Sequence, residues 1–258
     1  MKILTIFIFT SLSWQISAQI TQLTQPAQLS QIISNTVERA LQVEDANDTE
    51  FKKNYSYTRT RTWVKRNAAG QIESIDKKIE QENQQLRALL AERAHKKVSI
   101  PLQTNQTLKV RNFSLTNITA RFNYTLIGQE IINGRLSYVI DFFPKTNLVN
   151  KQITDKLINV GAGRIWVDEK EFAVIKGEVH LISPVDLMWG TLGSLKQFSY
   201  DFVRQQTPDD HWYSSFSEWH MVIRELITTR IVDYKERKTN VELVTSDSLQ
   251  SLLHASQN

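Results

Sequence analysis

The sequence predicts a mainly β protein with a few helices, built as a strongly curved antiparallel sheet that carries its helices on one face. Three observations predict it. Runs rich in aromatic and β-branched residues recur along the 258 residues, separated by short turn signals. Large apolar residues alternate along these runs. Phe122, Tyr124 and Leu126 share one face of a strand, as do Tyr138, Ile140 and Phe142, then Phe198, Tyr200 and Phe202, then Trp219, Met221 and Ile223. Segments with helical spacing are few and fall between hairpins.

The first residues read as a targeting segment. Met1-Lys2 is a short positive start, Ile3 to Leu12 is apolar, and a cut at Ala18–Gln19 would end a signal peptide over residues 1–18. Residues 19–250 then form a single exported domain and 251–258 a loose tail. Apolar residues at Leu29, Ile32, Ile33, Val37, Ala40 and Leu41 predict an amphipathic helix from Ala27 to Val43, followed by a polar loop from Glu44 to Glu50. Tyr55 to Val64 is a strand, Asn67 to Gly70 its turn, and Ile72 to Ile79 the return strand. Glu80 to Lys97 is charged and helix-favouring, an insertion in the sheet pattern.

The centre of the chain is two hairpins joined by a short helix. Arg121 to Glu130 and Leu136 to Phe143 flank Asn133-Gly134, a pair in which both residues accept the positive φ of a two-residue hairpin turn. Asn147 to Val160 is the connecting helix, with Gly161 and Gly163 at its end. Gly163 to Asp168 and Phe172 to Ile182 make the second hairpin. A loop from Asp186 to Ser194 carries Met188 and Trp189. Three more strands follow: Leu195 to Arg204, His211 to Ile223 and Leu226 to Lys235.

Composition excludes several chemistries. The chain has no cysteine, so it forms no disulfide, thiolate nucleophile or acylated cysteine. A formal net charge of +4 is a mild excess that suits an anionic lipid surface but is no nucleic-acid footprint. There is no nucleophile elbow and no phosphate-cradling loop. Glu218 with His220, and Asp209, Asp210 and His211, are the two places where a metal could sit, and neither shows a third ligand. Six Asn-x-Ser/Thr sequons are read as chance in a chain rich in these residues. The sequence indicates no enzyme and no cofactor.

Phe122 to Arg135, Tyr138 to Lys145 and Gly163 to Asp168 together resemble the bacterial outer-membrane lipoprotein carrier (LolA-like) superfamily, in a periplasmic branch of it. The resemblance spans about Tyr55 to Val244. It implies an open half-barrel with helices over the concave face, and a cavity that takes the acyl chain of a lipid or lipoprotein. On that reading Trp63, Phe122, Tyr124, Leu126, Tyr138, Ile140, Trp166, Phe198, Tyr200, Phe202, Trp219 and Met221 line the cavity. Packed core is the competing reading of each. A periplasmic protein-interaction or envelope-sensing module without lipid transfer, with a transient membrane or protein partner, is the competing function, and an enzyme using the cavity as its active site is the third.

Overall fold

The computed structural model describes residues 26–97, 119–150, 153–187, 193–225 and 227–255. They form one ten-stranded antiparallel sheet, open at both edges and curved like a half-barrel, with helices. In chain order these are α1 (Pro26–Asn54), β1 (Tyr55–Arg66), β2 (Ile72–Glu82), α2 (Gln84–Lys97), β3 (Phe122–Ile132), β4 (Arg135–Pro144) and α3 (Ile153–Ile158). There follow β5 (Gly161–Asp168), β6 (Val174–Leu181), β7 (Val185–Leu187), β8 (Gly193–Gln206), β9 (Trp212–Glu225), β10 (Thr228–Leu243) and α4 (Ser246–Ala255). The strand order is β2-β1-β10-β9-β8-β6-β5-β4-β3, and β7 pairs with the start of β8.

The hairpin turns follow local chemistry. Asn133 and Gly134 both take positive φ, 52° and 79°, as a type I′ turn requires. Asn67 caps the β1–β2 turn by accepting from the amides of Ala69 and Gln71. Asp168 closes the β5–β6 turn by accepting from the amides of Lys170 and Glu171. Its other oxygen takes Arg135 Nε at 2.8 Å.

Helix α1 lies across the concave face. Ile33, Val37 and Ala40 bury against Ile140, Val167 and Val174, with Tyr124, Tyr138, Ile165 and Phe202 packed around them. At its far end Phe51 stacks on Tyr213 with ring centroids 4.6 Å apart and on Tyr55 at 5.3 Å. Between these anchors Asn47 accepts from the backbone amide of Trp212 at 3.1 Å. The helix is thus fixed at both ends and at its middle.

Several boundaries differ from the sequence expectation. The helix continues through Glu44–Glu50 to Asn54, because no glycine or proline breaks it and polar side chains brace it at four-residue spacing: Asn47 to Val43, Thr49 to Asp45, Lys52 to Asp48 and Asn54 to Glu50. Strand β2 runs to Glu82, so Glu80 and Glu82 are strand residues held by Arg59 and Arg61 of β1, and the helical insertion starts at Gln84. Asn83 caps that helix by accepting from the amide of Leu86. Gln85 ties the helix to Lys53 of α1. Gly161 and Gly163 do not end the connecting helix; both lie within β5. β10 extends to Leu243, well past Lys235. Residues 251–255 of the tail expected to be loose belong to α4, which begins at Ser246 and is closed at its start by reciprocal bonds between Thr245 and Ser248. The signal segment, residues 98–118 and the Met188-Trp189 loop fall outside the described residues.

Two outcomes test this packing. A Cβ at Gly163 would overlap the carbonyl oxygen of Glu178 on β6 and come within 2.8 Å of the Phe142 ring. Gly163→Ala therefore lowers stability by about 1–3 kcal/mol, read as a lower denaturant midpoint at unchanged slope. Burial pushes the Asp168 carboxyl up, but Arg135 and the two turn amides more than offset this and leave it below its ordinary value. A lowered carboxylate contributes stability above its unfolded pKa of about 3.9 and loses it as pH falls through the folded value. The stability gap between the native chain and Asp168→Asn is accordingly largest at neutral pH and shrinks as the solution is acidified below about pH 4.

Candidate functional site: a charged cleft over an aromatic row

Strand register decides which side chains meet. Tyr200 on β8 faces Trp219 on β9, Trp219 faces Tyr234 on β10, and Tyr234 faces Trp63 on β1. Four aromatic rings thus form one unbroken row across four strands of the concave face. Trp219 and Tyr234 stack at 5.2 Å with planes 20° apart, and Trp63 meets Tyr234 at 5.2 Å and 54°. All four remain half-buried. The next row towards the open end pairs Phe198 with Met221 and Met221 with Val232.

Above this row the α1 stripe changes character. Ile33, Val37, Ala40 and Leu41 are apolar; Glu44, Asp45 and Asp48 continue the same side of the helix at spacings of three and four. Between them and the sheet lies a cleft of about 930 Å³. Its helix wall is Leu41, Glu44, Asp45, Asp48 and Lys52. Its sheet wall is Tyr57 and Arg59, then Tyr200, Ser214, Ser217 and Trp219, then Tyr234, Glu236 and Lys238.

The charges of the cleft are organised. Arg204 is 1% exposed and lies beneath α1; its Nη1 sits 3.6 Å from Glu44 and its Nη2 donates to the carbonyl of Trp212. Burial raises the Glu44 carboxyl above its ordinary value, Arg204 opposes the shift, and Asp48 and Asp45 add to it. Lys238 is nearly enclosed. It donates to the Ser214 carbonyl at 3.0 Å and lies 3.8 Å from Glu236, and burial holds its ammonium below the usual lysine range. Tyr234 Oη donates to Glu236 at 2.7 Å; burial first, and that carboxylate second, push its phenol well up.

The twelve residues expected to line a cavity separate into groups. Tyr200 and Trp219 line the cleft. Trp63, Phe198 and Met221 lie on the same face beside it. Ile140 is 1% exposed and is core, with Tyr124, Tyr138 and Phe202 packed against its cluster. Phe122 is buried against Phe142 at 5.2 Å, edge to face. Leu126 is on the concave side, opposite Ile140, but more than a third exposed. Trp166 is buried, 4% exposed, but on the other face of the sheet. It pairs with Val139 and Lys176, donates to Glu130 at 2.9 Å and lies under the Lys176 ammonium. The alternation that places Ile165 and Val167 inward turns Trp166 outward.

The sequence reading missed the helix wall, Arg59, Tyr57, Tyr234, Glu236 and Lys238. The missing helix wall follows from ending α1 at Val43; the continuing three- and four-residue spacing of Glu44, Asp45 and Asp48 was the available signal. Among the described residues no group of three or more histidines and carboxylates is placed to hold a metal. His220 Nδ1 instead meets Asp233 at 2.7 Å, and His211 Nδ1 meets the Tyr55 hydroxyl at 3.3 Å.

No protein-family model and no curated protein matches the sequence. Solved structures similar to this chain include members of the superfamily that the central hairpins resemble. One is a domain described as an outer-membrane lipoprotein-sorting protein from Vibrio parahaemolyticus, at 10% identity, covering 84% of this chain and 97% of that one, with a TM-score of 0.31. Another is a LolA superfamily protein from Nitrosomonas europaea, at 12% identity, covering 84% and 94%, with a TM-score of 0.28. A third is the MucA/MucB complex of Pseudomonas aeruginosa, at 8% identity, covering 83% and 99%, with a TM-score of 0.27. At such TM-scores the likeness is loose, and nothing about this chain's ligand follows from it.

The Glu44–Arg204 contact makes a direct prediction. Removing the carboxylate strands a buried guanidinium, so Glu44→Gln lowers stability by about 1–3 kcal/mol. Replacing both partners, as Glu44→Gln with Arg204→Met, costs less than the two single changes added. A double-mutant cycle by denaturant unfolding measures that coupling.

Proposed function

We propose that this chain is an exported, periplasmic binding protein of carrier type, holding an amphipathic, lipid-like ligand between α1 and the concave face of the sheet. One observation carries the reading: Tyr200, Trp219 and Tyr234 lie half-buried along the floor of an open cleft, and Trp63 continues their cross-strand row beside it. Elsewhere on the same face, α1 seals the apolar rows with its own side chains. An acyl chain laid along the aromatic row leaves water at about 25 cal/mol per Å², several kcal/mol for a chain of ordinary length. The polar end then lies among the charged groups at the helix end. A cleft of about 930 Å³ is within the range of small-molecule sites. The apolar segment Ile3 to Leu12 supports export.

Native mass spectrometry with organic extraction, on protein purified from the exported fraction, tests the reading. A stoichiometric amphiphile supports it; an empty protein that takes up no fluorescent fatty acid contradicts it. Trp219→Ala weakens fatty-acid binding by about tenfold, the loss of an aromatic contact of about 1–1.5 kcal/mol. Trp166→Phe, on the opposite face, leaves binding unchanged.

The β2 edge favours a second reading, a protein-interaction module. β2 ends the sheet and exposes Ile72, Ile75 and Ile79, the last by 61%. A partner strand could add there through open backbone groups, although Lys77 and Lys78 guard the edge as charged edge residues do. Loss of a copurifying partner in Ile75→Lys, with fatty-acid binding intact, would favour this reading.

A further inference from the structure

We propose that the cleft selects ligands whose polar end is zwitterionic, with an amine carried beside an anionic group. The inference rests on the amphiphile reading and specifies its polar end.

The two walls of the cleft differ in charge. Glu44, Asp45 and Asp48 present three carboxylates from one side of α1. Facing them is Lys238; Arg59, opposite it in the β1–β10 register, already pairs with Glu80 and Glu82, so Lys238 is the cation left to a ligand. Trp219 and Tyr234 stack as the floor between. A ligand ammonium fits against the helix wall and over these rings, whose faces attract cations. A ligand phosphate or carboxylate fits against Lys238. That ammonium has three donors, of which one goes to Ser214 O at 3.0 Å, while Glu236 is 3.8 Å away. The side chain is 11% exposed, so an incoming anion meets it largely out of water, where a charge pair is stronger.

Ligands of single sign fit less well. An anion alone faces the three helix carboxylates and Glu236 uncompensated. A cation alone leaves the Lys238 ammonium opposed to it. The helix carboxylates also have restricted alternatives: Asp48 pairs with Lys52 at 2.5 Å, and Glu44 stands 3.6 Å from the buried Arg204. Asp45 therefore becomes the nearest candidate for direct pairing with a ligand amine.

The test uses the full chain and three lysophospholipids with the same brominated acyl chain. Lyso-phosphoethanolamine carries amine and phosphate; lyso-phosphoglycerol and N-acetylated lyso-phosphoethanolamine carry the phosphate alone. Binding is read by tryptophan quenching. The phosphoethanolamine probe binds at least about tenfold tighter than the other two. Asp45→Asn with Asp48→Asn removes that preference without weakening lyso-phosphoglycerol. Lys238→Met weakens all three relative to a brominated monoacylglycerol, and circular dichroism checks that each variant is folded. A fourth probe, a short peptide acylated on a side chain with a free N-terminal amine beside an anionic residue, distinguishes the sources. Tighter binding than lyso-phosphoethanolamine names a lipopeptide and weaker binding a phospholipid; both support the proposal. Equal affinity for all three lysophospholipids overturns the proposal and leaves the amphiphile reading standing. If none of the probes binds, that reading falls as well.

Discussion

An open antiparallel sheet has a large apolar face and no second sheet to cover it, and the structure depends on how α1 meets that need. Ile33, Val37 and Ala40 seal the part of the concave face formed by β4, β5 and β6. Phe51 anchors the opposite end of the helix on Tyr55, Tyr57 and Tyr213. The stretch between is held by Val43 packed on Ala173, Ile175 and Trp212, by Asn47 and by the Glu44–Arg204 contact. On the side that faces the aromatic row this stretch presents Glu44, Asp45 and Asp48. The cleft lies beneath this polar stretch.

The same economy explains the position of the aromatic residues. On the sealed side they are core: Tyr124, Tyr138 and Phe202 pack around the helix contact. On the other side no apolar helix residue beyond Leu41 borders the cleft, and Tyr200, Trp219 and Tyr234 face its space. A single helix thus closes one part of the concave face and leaves another open as a cleft. The change occurs within one turn, from Leu41 to Glu44. Arg204 sits at that boundary, buried beneath the helix, and fixes where the acidic stretch begins.

Much of this was legible in the sequence. Asn133-Gly134 named its hairpin because few residues accept positive φ in succession, and alternation along β3, β4, β8 and β9 grouped the inward residues correctly. Periodicity says which residues of a strand share a face, but not which face of the sheet they occupy. Trp166 shows the difference. Its size argued for burial, and it is buried, 4% exposed, but on the other face: Ile165 and Val167 occupy the concave positions, Glu130 accepts from the indole and Lys176 covers the ring. Charge misled the reading in two other places. Glu44 to Glu50 looked like a loop because its residues are polar, although none of them breaks a helix. Glu80 looked helical by propensity, whereas cross-strand pairing with Arg59 and Arg61 keeps it in β2. Lys238 lay beyond the expected end of β10.

The central claim is that ligand binds between α1 and the aromatic row. A photoactivatable fatty acid, with a diazirine near its methyl end, tests it most directly when adducts are mapped by peptide sequencing. The account predicts adducts on the peptides carrying Trp63, Trp219 and Tyr234, suppressed by excess unlabelled fatty acid. Competable adducts confined to the Trp166 face or to the β2 edge would contradict it.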